Sequence, residues 1–314
     1  PAGEELLRAE LAAEAGKAPP LSLSDVDAAM QGQIGHRVRT VLENLLRRHG
    51  VQKEIVVPLT RVVVDPEDPE FKNPTKFVGW LYSPPDAEEL MRERGWKMKE
   101  ESPGQWRRVV PSPEPKAVVE LDHIQSLLRE RKIVVAGIGG ANPGYWDENG
   151  EWVDVDAVVD KDRVWRLLSQ NVGARRPVII TAVPHLSRHF GTRREQPIHR
   201  ADATYLERDI AQGHFKGGAL PKALEAMRFV RSGTDKAVLI TDSVHLLEAW
   251  EKGEEGGVGT WIVPDLVHRE KEESAKDGGE NIFPDPFEAK VIDITSHSTR
   301  RRRRALLERF YNRP

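Results

Sequence analysis

The stretch that decides the fold is residues 133–168, which read IVVAGIGGANPGYWDENGEWVDVDAVVDKDRVWRLL. It opens with an apolar, largely β-branched run that a glycine bounds, a pattern typical of a strand buried on both faces. It closes with Val164, Leu167 and Leu168 at helical spacing, and Asp160 is the expected N-cap of that helix. Strand and helix patterns alternate along the rest of the chain, which predicts an α/β fold with a mostly parallel sheet covered on both faces.

A glycine-rich turn, residues 137–140 (GIGG), follows the strand. Because Gly137, Gly139 and Gly140 lack a Cβ atom, the backbone N–H groups of this turn can approach an anion closely. The glycines do not lead directly into a helix, since a hairpin pattern with an Asn149-Gly150 turn intervenes. The stretch is therefore not a dinucleotide-binding fingerprint.

The helix start carries the sequence Asp160-Lys161-Asp162. A lysine beside two aspartates, near a glycine turn, would place one cation and an orienting carboxylate on a phosphate group. The same pattern also suits an ordinary helix cap with solvated charges. The residues alone leave both interpretations open.

Composition restricts the classes of function. The chain has 314 residues, a formal net charge of -3 and no cysteine. The absence of cysteine excludes disulfides and zinc–thiolate sites, and the net charge argues against a nucleic-acid binder that depends on overall charge. With no apolar run long enough to span a bilayer and no signal-peptide pattern, we expect a soluble cytoplasmic protein. Four histidines form no spacing typical of a metal site: His36, His185, His189 and His297.

Two further lysines stand in positions suited to an anion. Residues 65–113 are rich in proline and charge, so they are expected to form a small subdomain that projects from the main sheet. Lys76 is expected on a loop there, where a mobile projection could close over an anionic substrate, although such a lysine is solvated by default. Lys222 follows Gly217-Gly218 at a predicted helix N-terminus, a good position for a phosphate.

An early helix is predicted to begin at Ser24 as N-cap and to contain the glycine pair of QGQIG, residues 31–35. Glycine inside a helix costs stability. The pair therefore indicates close approach of another backbone or a ligand, or else close helix–helix packing.

These segments together resemble the carbamate kinases of the amino-acid kinase fold. The most specific part is the projecting segment, VDPEDPEFKNPTKFVGWLY (64–82) and GWKMKEESPGQWRRVVPSPEP (95–115), with QGQIG before it and VVDKD and LPK after it. The resemblance covers residues 6–263. It implies a three-layer α/β/α sandwich in residues 1–264, with residues 265–314 as a C-terminal extension.

The resemblance also implies phosphoryl transfer between ATP and carbamate to give ADP and carbamoyl phosphate, or the reverse, in a homodimer with Mg²⁺. Lys76 would reach the active site from the projecting subdomain, and Lys161 would contact the transferring phosphoryl group. Asp160 and Asp162 would orient lysines or metal. Lys222 would hold the nucleotide phosphates, with Gly137, Gly139 and Gly140 forming a turn near the nucleotide.

The sequence departs from the family pattern at several places. The strand and Gly-Gly-Asn turn with which the family begins, and a second Gly-Asn turn, are expected to lie upstream of this chain. TAVPHLS (181–187) stands where the family has Thr-Asp-Val-Asp-Gly-Val-Tyr, and Phe77 replaces a usual proline. The alternative interpretation is therefore a catalytically inactive homologue that serves as a binding or scaffold protein.

The tail after residue 265 has no counterpart in the family. We expect a charged linker at 271–280, a strand at 290–295, a turn at 296–299 and a helix at 300–310. The hypothesis is that this unit completes the sheet and presents Ser296, Ser298 or arginines to the site. The run Arg300–Arg304 is interpreted first as a solvated face, with RNA or phosphate binding as the alternative.

Overall fold

The computed structural model describes residues 2–17, 19 and 21–265. The strand, turn, helix and arginine run expected within 271–310 lie outside the described residues. The boundary between residues 264 and 265 stays a prediction.

Nine α-helices and one 3₁₀ helix occur in the described part of the chain. The α-helices are α1 Ala2–Glu14, α2 Leu23–Arg48, α3 Pro69–Lys72, α4 Pro84–Arg94, α5 Leu121–Arg129, α6 Lys161–Asn171, α7 Ala203–Ala211, α8 Ala219–Val230 and α9 Leu246–Lys252. The 3₁₀ helix is Ile138–Gly140, within the glycine turn of residues 137–140.

The strands are short and numerous. They are β1 Ile55–Val56, β2 Arg61–Val63, β3 Lys76–Tyr82, β4 Met98–Ser102, β5 Gln105–Val110, β6 Ala117–Val118, β7 Ile133–Val134, β8 Asn142–Trp146, β9 Trp152–Asp154, β10 Val178–Ile180, β11 Leu186–Arg188, β12 Gln196–Ile198, β13 Arg200–Asp202, β14 Val238–Thr241 and β15 Thr260–Val263.

The sheet is divided into sections that combine parallel and antiparallel strand pairs. One section has the order β10-β14-β15-β13, a second has the order β6-β2-β8-β9, and β1 pairs with β7. The pairs β1–β7, β2–β8, β10–β14 and β13–β15 are parallel, whereas β14 and β15 run antiparallel. The expected α/β fold with parallel strands and a projecting unit is confirmed. Antiparallel pairs lie between the parallel pairs in the first section and outside the parallel pair in the second.

Two hydrophobic cores support these sections. The first packs α7 and α8 against the β10-β14-β15-β13 section, with Leu206, Phe229 and Ile240 fully buried. The second packs α5 and α6 beneath β2, with Val62 and Val164 at its centre. Helices α6 and α8 contact each other, so the start of α6 is held between both cores.

The predicted burial of residues 133–136 on both faces is wrong. These four residues are only half-buried, although Val134 and Ala136 contact the second core. Within the described residues β7 pairs with β1 alone, so its other edge receives no strand. A strand at an edge buries less of its surface than one flanked on both sides.

The N-cap of helix α2 lies two residues before the expected one. Ser22 is the N-cap, since its hydroxyl accepts a hydrogen bond from Asp25 N at 3.0 Å while the Asp25 carboxylate accepts from Ser22 N at 3.0 Å. This capping box satisfies amides that the first turn leaves free. Ser24 instead lies buried and its hydroxyl accepts a hydrogen bond from Asn142.

The two glycines of QGQIG differ in their surroundings. A Cβ atom on Gly35 would lie 2.4 Å from Val57 Cγ1 and 3.3 Å from Ile138 Cδ1, so α2 approaches these side chains closely. A Cβ atom on Gly32 would meet nothing within 4 Å. Gly35 is therefore explained by packing against two side chains, neither of them on another α-helix.

The glycine turn packs closely against α6 and the residue Val159 just before it. A Cβ atom on Gly140 would lie 2.0 Å from Val159 O, and one on Gly137 would lie 2.9 Å from Leu168 Cδ1. Both residues have positive φ, 117° and 67°. Gly140 therefore permits a close approach of backbone to backbone that a Cβ atom would block, and Gly137 lets the turn pack closely against side chains of α6.

The projecting unit is a three-stranded antiparallel sheet, β3-β5-β4, covered by α4. Although this segment is rich in proline and charge, it has a small core, in which Trp96, Met98 and Ala87 pack together with Leu7 of α1. Helix α1 is also tied to this unit by an ion pair between Arg94 and Glu14.

The substitution Gly140→Ala should destabilise the fold far more than Gly139→Ala. Both positions have positive φ, which costs a non-glycine residue about 1–2 kcal/mol. Only Gly140 also places a Cβ against a backbone carbonyl, whereas the space beside Gly139 is open. Denaturant unfolding should show a loss above ~3 kcal/mol or failure to fold for Gly140→Ala. Equal losses for both variants would contradict this account.

A half-buried carboxyl on α2, Asp27, predicts a pH-dependent stability. No hydrogen bond or ion pair to Asp27 occurs within the described residues, and burial raises its pKa from 3.8 to about 7. The folded state then holds a proton that the unfolded chain has lost, so this group's contribution to stability falls as pH rises from 4 to 7.

Replacing Asp27 with Asn removes that titration. The difference in unfolding free energy, Asp27→Asn minus wild type, should grow by on the order of 2 kcal/mol between pH 4 and pH 8, after allowance for solvent screening. Urea unfolding across this pH range measures the difference. Parallel pH curves for the two proteins would exclude a raised pKa at Asp27.

Candidate active site

The site is organised by the first residues of α6. Asp160 is the N-cap, as the sequence predicts, and its carboxylate accepts a hydrogen bond from Asp162 N at 2.9 Å. Lys161 and Asp162 are the first two helical residues. The Asp160 and Asp162 side chains are both largely buried, which is unusual for carboxylates unless cations pair with them.

Lys76 pairs with Asp160. Its ammonium group donates a hydrogen bond to Asp160 Oδ2 across 84 positions of sequence. Burial acts to raise the pKa of Asp160, but the Lys76 ammonium and the hydrogen bond from Asp162 N outweigh it and hold this pKa below its ordinary value. Asp160 is therefore a carboxylate at neutral pH.

The expectation that Lys76 lies on a loop is wrong. Lys76 is the first residue of β3 and stands opposite Val110, the last residue of β5. Pro74 is incompatible with continuing α3, so the strand begins soon after it. The lysine therefore sits at the base of the projecting unit, where that unit joins the rest of the chain.

Lys222 pairs with Asp162. Its Nζ atom lies 3.0 Å from Asp162 Oδ2 and 3.4 Å from Oδ1, and both side chains are mostly buried. Lys222 is the fourth residue of α8, one position after Pro221. The contact between α6 and α8 thus brings the ammonium to the start of α6.

Lys161 differs from the other two lysines. Its side chain is 62% exposed and its Nζ lies 3.8 Å from Asp162 Oδ2, beyond hydrogen-bond distance. The structure therefore brings three ammonium groups, from β3, α6 and α8, onto two carboxylates. The cluster carries one net positive charge, and Lys161 presents its cation to solvent.

The glycine turn adds backbone donors near this cluster. Gly140 N donates to Gly137 O, and Ala141 N donates to Ile138 O. The N–H groups of Ile138 and Gly139 have no hydrogen-bond partner within the described residues. Gly137 and Gly139 both have left-handed backbone angles, an arrangement whose successive N–H groups bind anions.

A buried polar network behind the turn was missed by the sequence analysis. Gln31 accepts from Thr60 N at 2.9 Å and donates to Thr60 O at 3.0 Å and to Asn142 Oδ1 at 2.5 Å. Asn142 donates to Ser24 O at 2.7 Å. Thr60 accepts from Gly137 N at 3.0 Å. The only signal in the sequence was the placement of polar residues within apolar patterns.

The carboxyl edge of β10 and β14 exposes apolar side chains. Ile180, which ends β10, is 55% exposed, and Val244, three residues after β14, is 62% exposed. Beside them, the Asp242 carboxylate accepts a hydrogen bond from His245 N at 2.8 Å. Ligands of open α/β sheets bind at this edge of the strands.

His185 lies in the segment TAVPHLS and packs edge-on against His199, with ring centroids 5.5 Å apart. Burial and the neighbouring His199 ring lower the pKa of His185. The ring is therefore neutral at pH 7 and adds no positive charge to this edge.

Two cavities lie apart from the lysine cluster. One of about 520 Å³ lies between α2 and β1 and is lined by Gln31, Gly32 and His36 among others. Another of about 350 Å³ lies between α1 and the projecting unit. Neither is lined by Lys76, Lys161 or Lys222.

Two further features concern the residues that the structure describes. No group of three or more histidine, aspartate or glutamate side chains that could hold a metal ion occurs among them. None of their helices combines the length and apolarity that crossing a membrane requires.

Comparisons with known proteins identify the family of the chain. A family model for the amino acid kinase family matches residues 87–241. The carbamate kinase of Pyrococcus horikoshii is 40% identical over 247 residues, which cover 78% of this chain and 77% of that enzyme. Carbamate kinase 2 of Staphylococcus epidermidis is 35% identical over 252 residues, 80% of each chain.

The solved structure of carbamate kinase from Giardia lamblia bound to AMP-PNP is 30% identical, with a TM-score of 0.72 over 84% of this chain and 82% of that chain. The same enzyme bound to citric acid gives a TM-score of 0.75. From the fold, the segments shared with these relatives and the extent of the matches, this chain belongs to the carbamate kinase family of phosphotransferases.

Proposed function

We propose that the chain transfers a phosphoryl group between ATP and carbamate, forming ADP and carbamoyl phosphate, and that it also runs the reverse reaction. The observation that carries this proposal is the convergence of Lys76, Lys161 and Lys222 on Asp160 and Asp162. Family membership supports it. No observation favours the alternative of an inactive binding or scaffold protein.

The proposed roles follow from exposure and charge. A phosphoryl group in transfer spreads negative charge over its equatorial oxygens, so catalysis consists mainly of positioning and of stabilisation by cations and amides. Lys161 presents the exposed ammonium and would contact the transferring group. Asp160 and Asp162 would hold Lys76 and Lys222 in place, and α6 amides would add positive potential.

In the forward direction a carbamate oxygen forms a bond to the γ-phosphorus as the bond to the β,γ-bridging oxygen breaks, leaving ADP. Lys76, at the base of the projecting unit, would bind the carbamate carboxylate or the phosphate it receives. Lys222 would bind the nucleotide phosphates, together with the free amides of the glycine turn. Ile180 and Val244 offer an apolar surface for the purine base.

Magnesium is implied by the family resemblance. Asp160 and Asp162 are already bonded to lysines, and no acidic cluster lies elsewhere in the described residues. These residues therefore do not form a ready carboxylate site for the ion.

Lys161→Met should abolish most of the activity while leaving the fold intact. The side chain is exposed and bears no buried hydrogen bond, so its loss removes charge without disturbing the core. We expect kcat for ATP formation from ADP and carbamoyl phosphate to fall by ~10²- to 10³-fold, as for removal of one transition-state donor. A coupled ATP assay measures this.

Lys53→Met is the matched control, because Lys53 is exposed and lies outside the site. It should retain wild-type kcat. Undiminished turnover in Lys161→Met would refute the assigned role of Lys161. A folded wild type that forms no ATP would refute the proposed function itself.

We also propose a homodimer that uses α2. One face of its C-terminal half is apolar yet remains exposed or half-buried. The residues on this face are Ile34, Val38, Val41, Leu42, Leu45 and Leu46. Val41 is 59% exposed and Leu45 is 40% exposed, which is typical of a surface that another copy covers.

Val41→Asp should convert the dimer to a monomer, because it places a charge in the centre of that face. Light scattering of the purified chain measures the mass. Thr40→Asp is the matched control, since Thr40 is exposed on α2 but points about 100° away around the helix. An unchanged mass for Val41→Asp would exclude this face as the interface.

A further inference from the structure

Thr60 is a fully buried threonine between β1 and β2. Its Oγ1 accepts a hydrogen bond from Gly137 N at 3.0 Å and donates to Pro58 O at 3.3 Å. The hydroxyl group thus donates one hydrogen bond and accepts another, and the two bonds together favour one orientation of the side chain. Gly137 is the first residue of the glycine turn.

The main chain of Thr60 is fixed as well. The Gln31 amide bonds both Thr60 N and Thr60 O, and Asn142 N also donates to Thr60 O at 2.9 Å. Gln31 is 2% exposed, so water does not compete for these bonds. Thr60 therefore connects α2 and β8 rigidly to the glycine turn.

The Gly137 contact determines how the turn presents its donors. With Gly137 N bonded to Thr60, the next two amides, those of Ile138 and Gly139, remain without a partner among the described residues. The left-handed angles at Gly137 and Gly139 set the relative orientation of these N–H groups. A shift in the Gly137 amide would therefore misdirect both donors.

We propose that Thr60 is a positioning residue, whose hydroxyl holds the glycine turn so that its free amides bind the phosphates of a nucleoside diphosphate or triphosphate. This proposal rests on the proposed function, which places nucleotide phosphates at that turn. Thr60 itself touches no substrate and acts only through Gly137.

The decisive comparison is Thr60→Val against Thr60→Ser in the full chain. Valine keeps the shape and removes the acceptor, whereas serine keeps the acceptor and loses a methyl group. We expect Thr60→Val to raise the Kd for ADP, measured by calorimetry, by about tenfold or more, the scale of a misdirected charge-assisted hydrogen bond. Thr60→Ser should stay within about threefold of wild type.

Steady-state kinetics separates positioning from general damage. In Thr60→Val the KM for ADP should rise about tenfold while the KM for carbamoyl phosphate changes less than about threefold. A merely structural defect would affect both substrates alike. Thr40→Val is the matched control, because the Thr40 hydroxyl also bonds a backbone carbonyl, His36 O at 2.9 Å, but on exposed α2.

The outcomes distinguish this inference from the proposed function. An active wild type with equal ADP affinity in Thr60→Val overturns the role of Thr60 and leaves the function intact. A wild type that binds ADP without turnover overturns the function, and the Kd comparison still decides the role of Thr60. A wild type that does not bind ADP overturns both. If Thr60→Val does not fold, Thr60→Ala takes its place in the experiment, because alanine also removes the hydroxyl acceptor.

Discussion

The arrangement of the site depends on two carboxylates at one helix start. Asp160 and Asp162 flank Lys161, and each is neutralised by a lysine from another part of the chain. Burying a carboxylate without a cationic partner costs free energy. Each aspartate therefore favours folded conformations in which a lysine lies within reach of its carboxylate. The projecting unit and α8 thereby reach the same point. Lys161 is the one of the three lysines that donates no hydrogen bond to a carboxylate in the described part of the chain.

Much of this centre could be predicted because its signals are local. Asp160, Lys161 and Asp162 are neighbours, and the cap, the helix pattern and the glycine turn all lie within one short stretch. Lys76 and Lys222 join Asp160 and Asp162 across 84 and 60 positions. Only the family resemblance indicated that these two lysines lie at the site, because local sequence patterns do not predict contacts between residues so far apart in the chain.

The support behind the centre could not be predicted from the sequence. The contacts of Thr60 with Gly137 and of Gln31 with Asn142 span 77 and 111 positions and involve residues with no distinctive local pattern. The burial of residues 133–136 was misjudged for a related reason. The apolar composition of these four residues indicates a buried strand. It does not show whether a neighbouring strand pairs with each edge of that strand.

The register of the projecting unit has a consequence for how such proteins vary. Lys76 and Val110, its first and last strand residues, stand opposite each other, so the chain enters and leaves the unit at one place. An inserted segment whose two ends are adjacent can be lengthened, shortened or exchanged at its far end without displacing the residues at its base. Trp80 and Leu81 of β3 are exposed beyond that base. The outer face of this unit can therefore differ between homologues while the ammonium group of Lys76, at its base, stays in the same position.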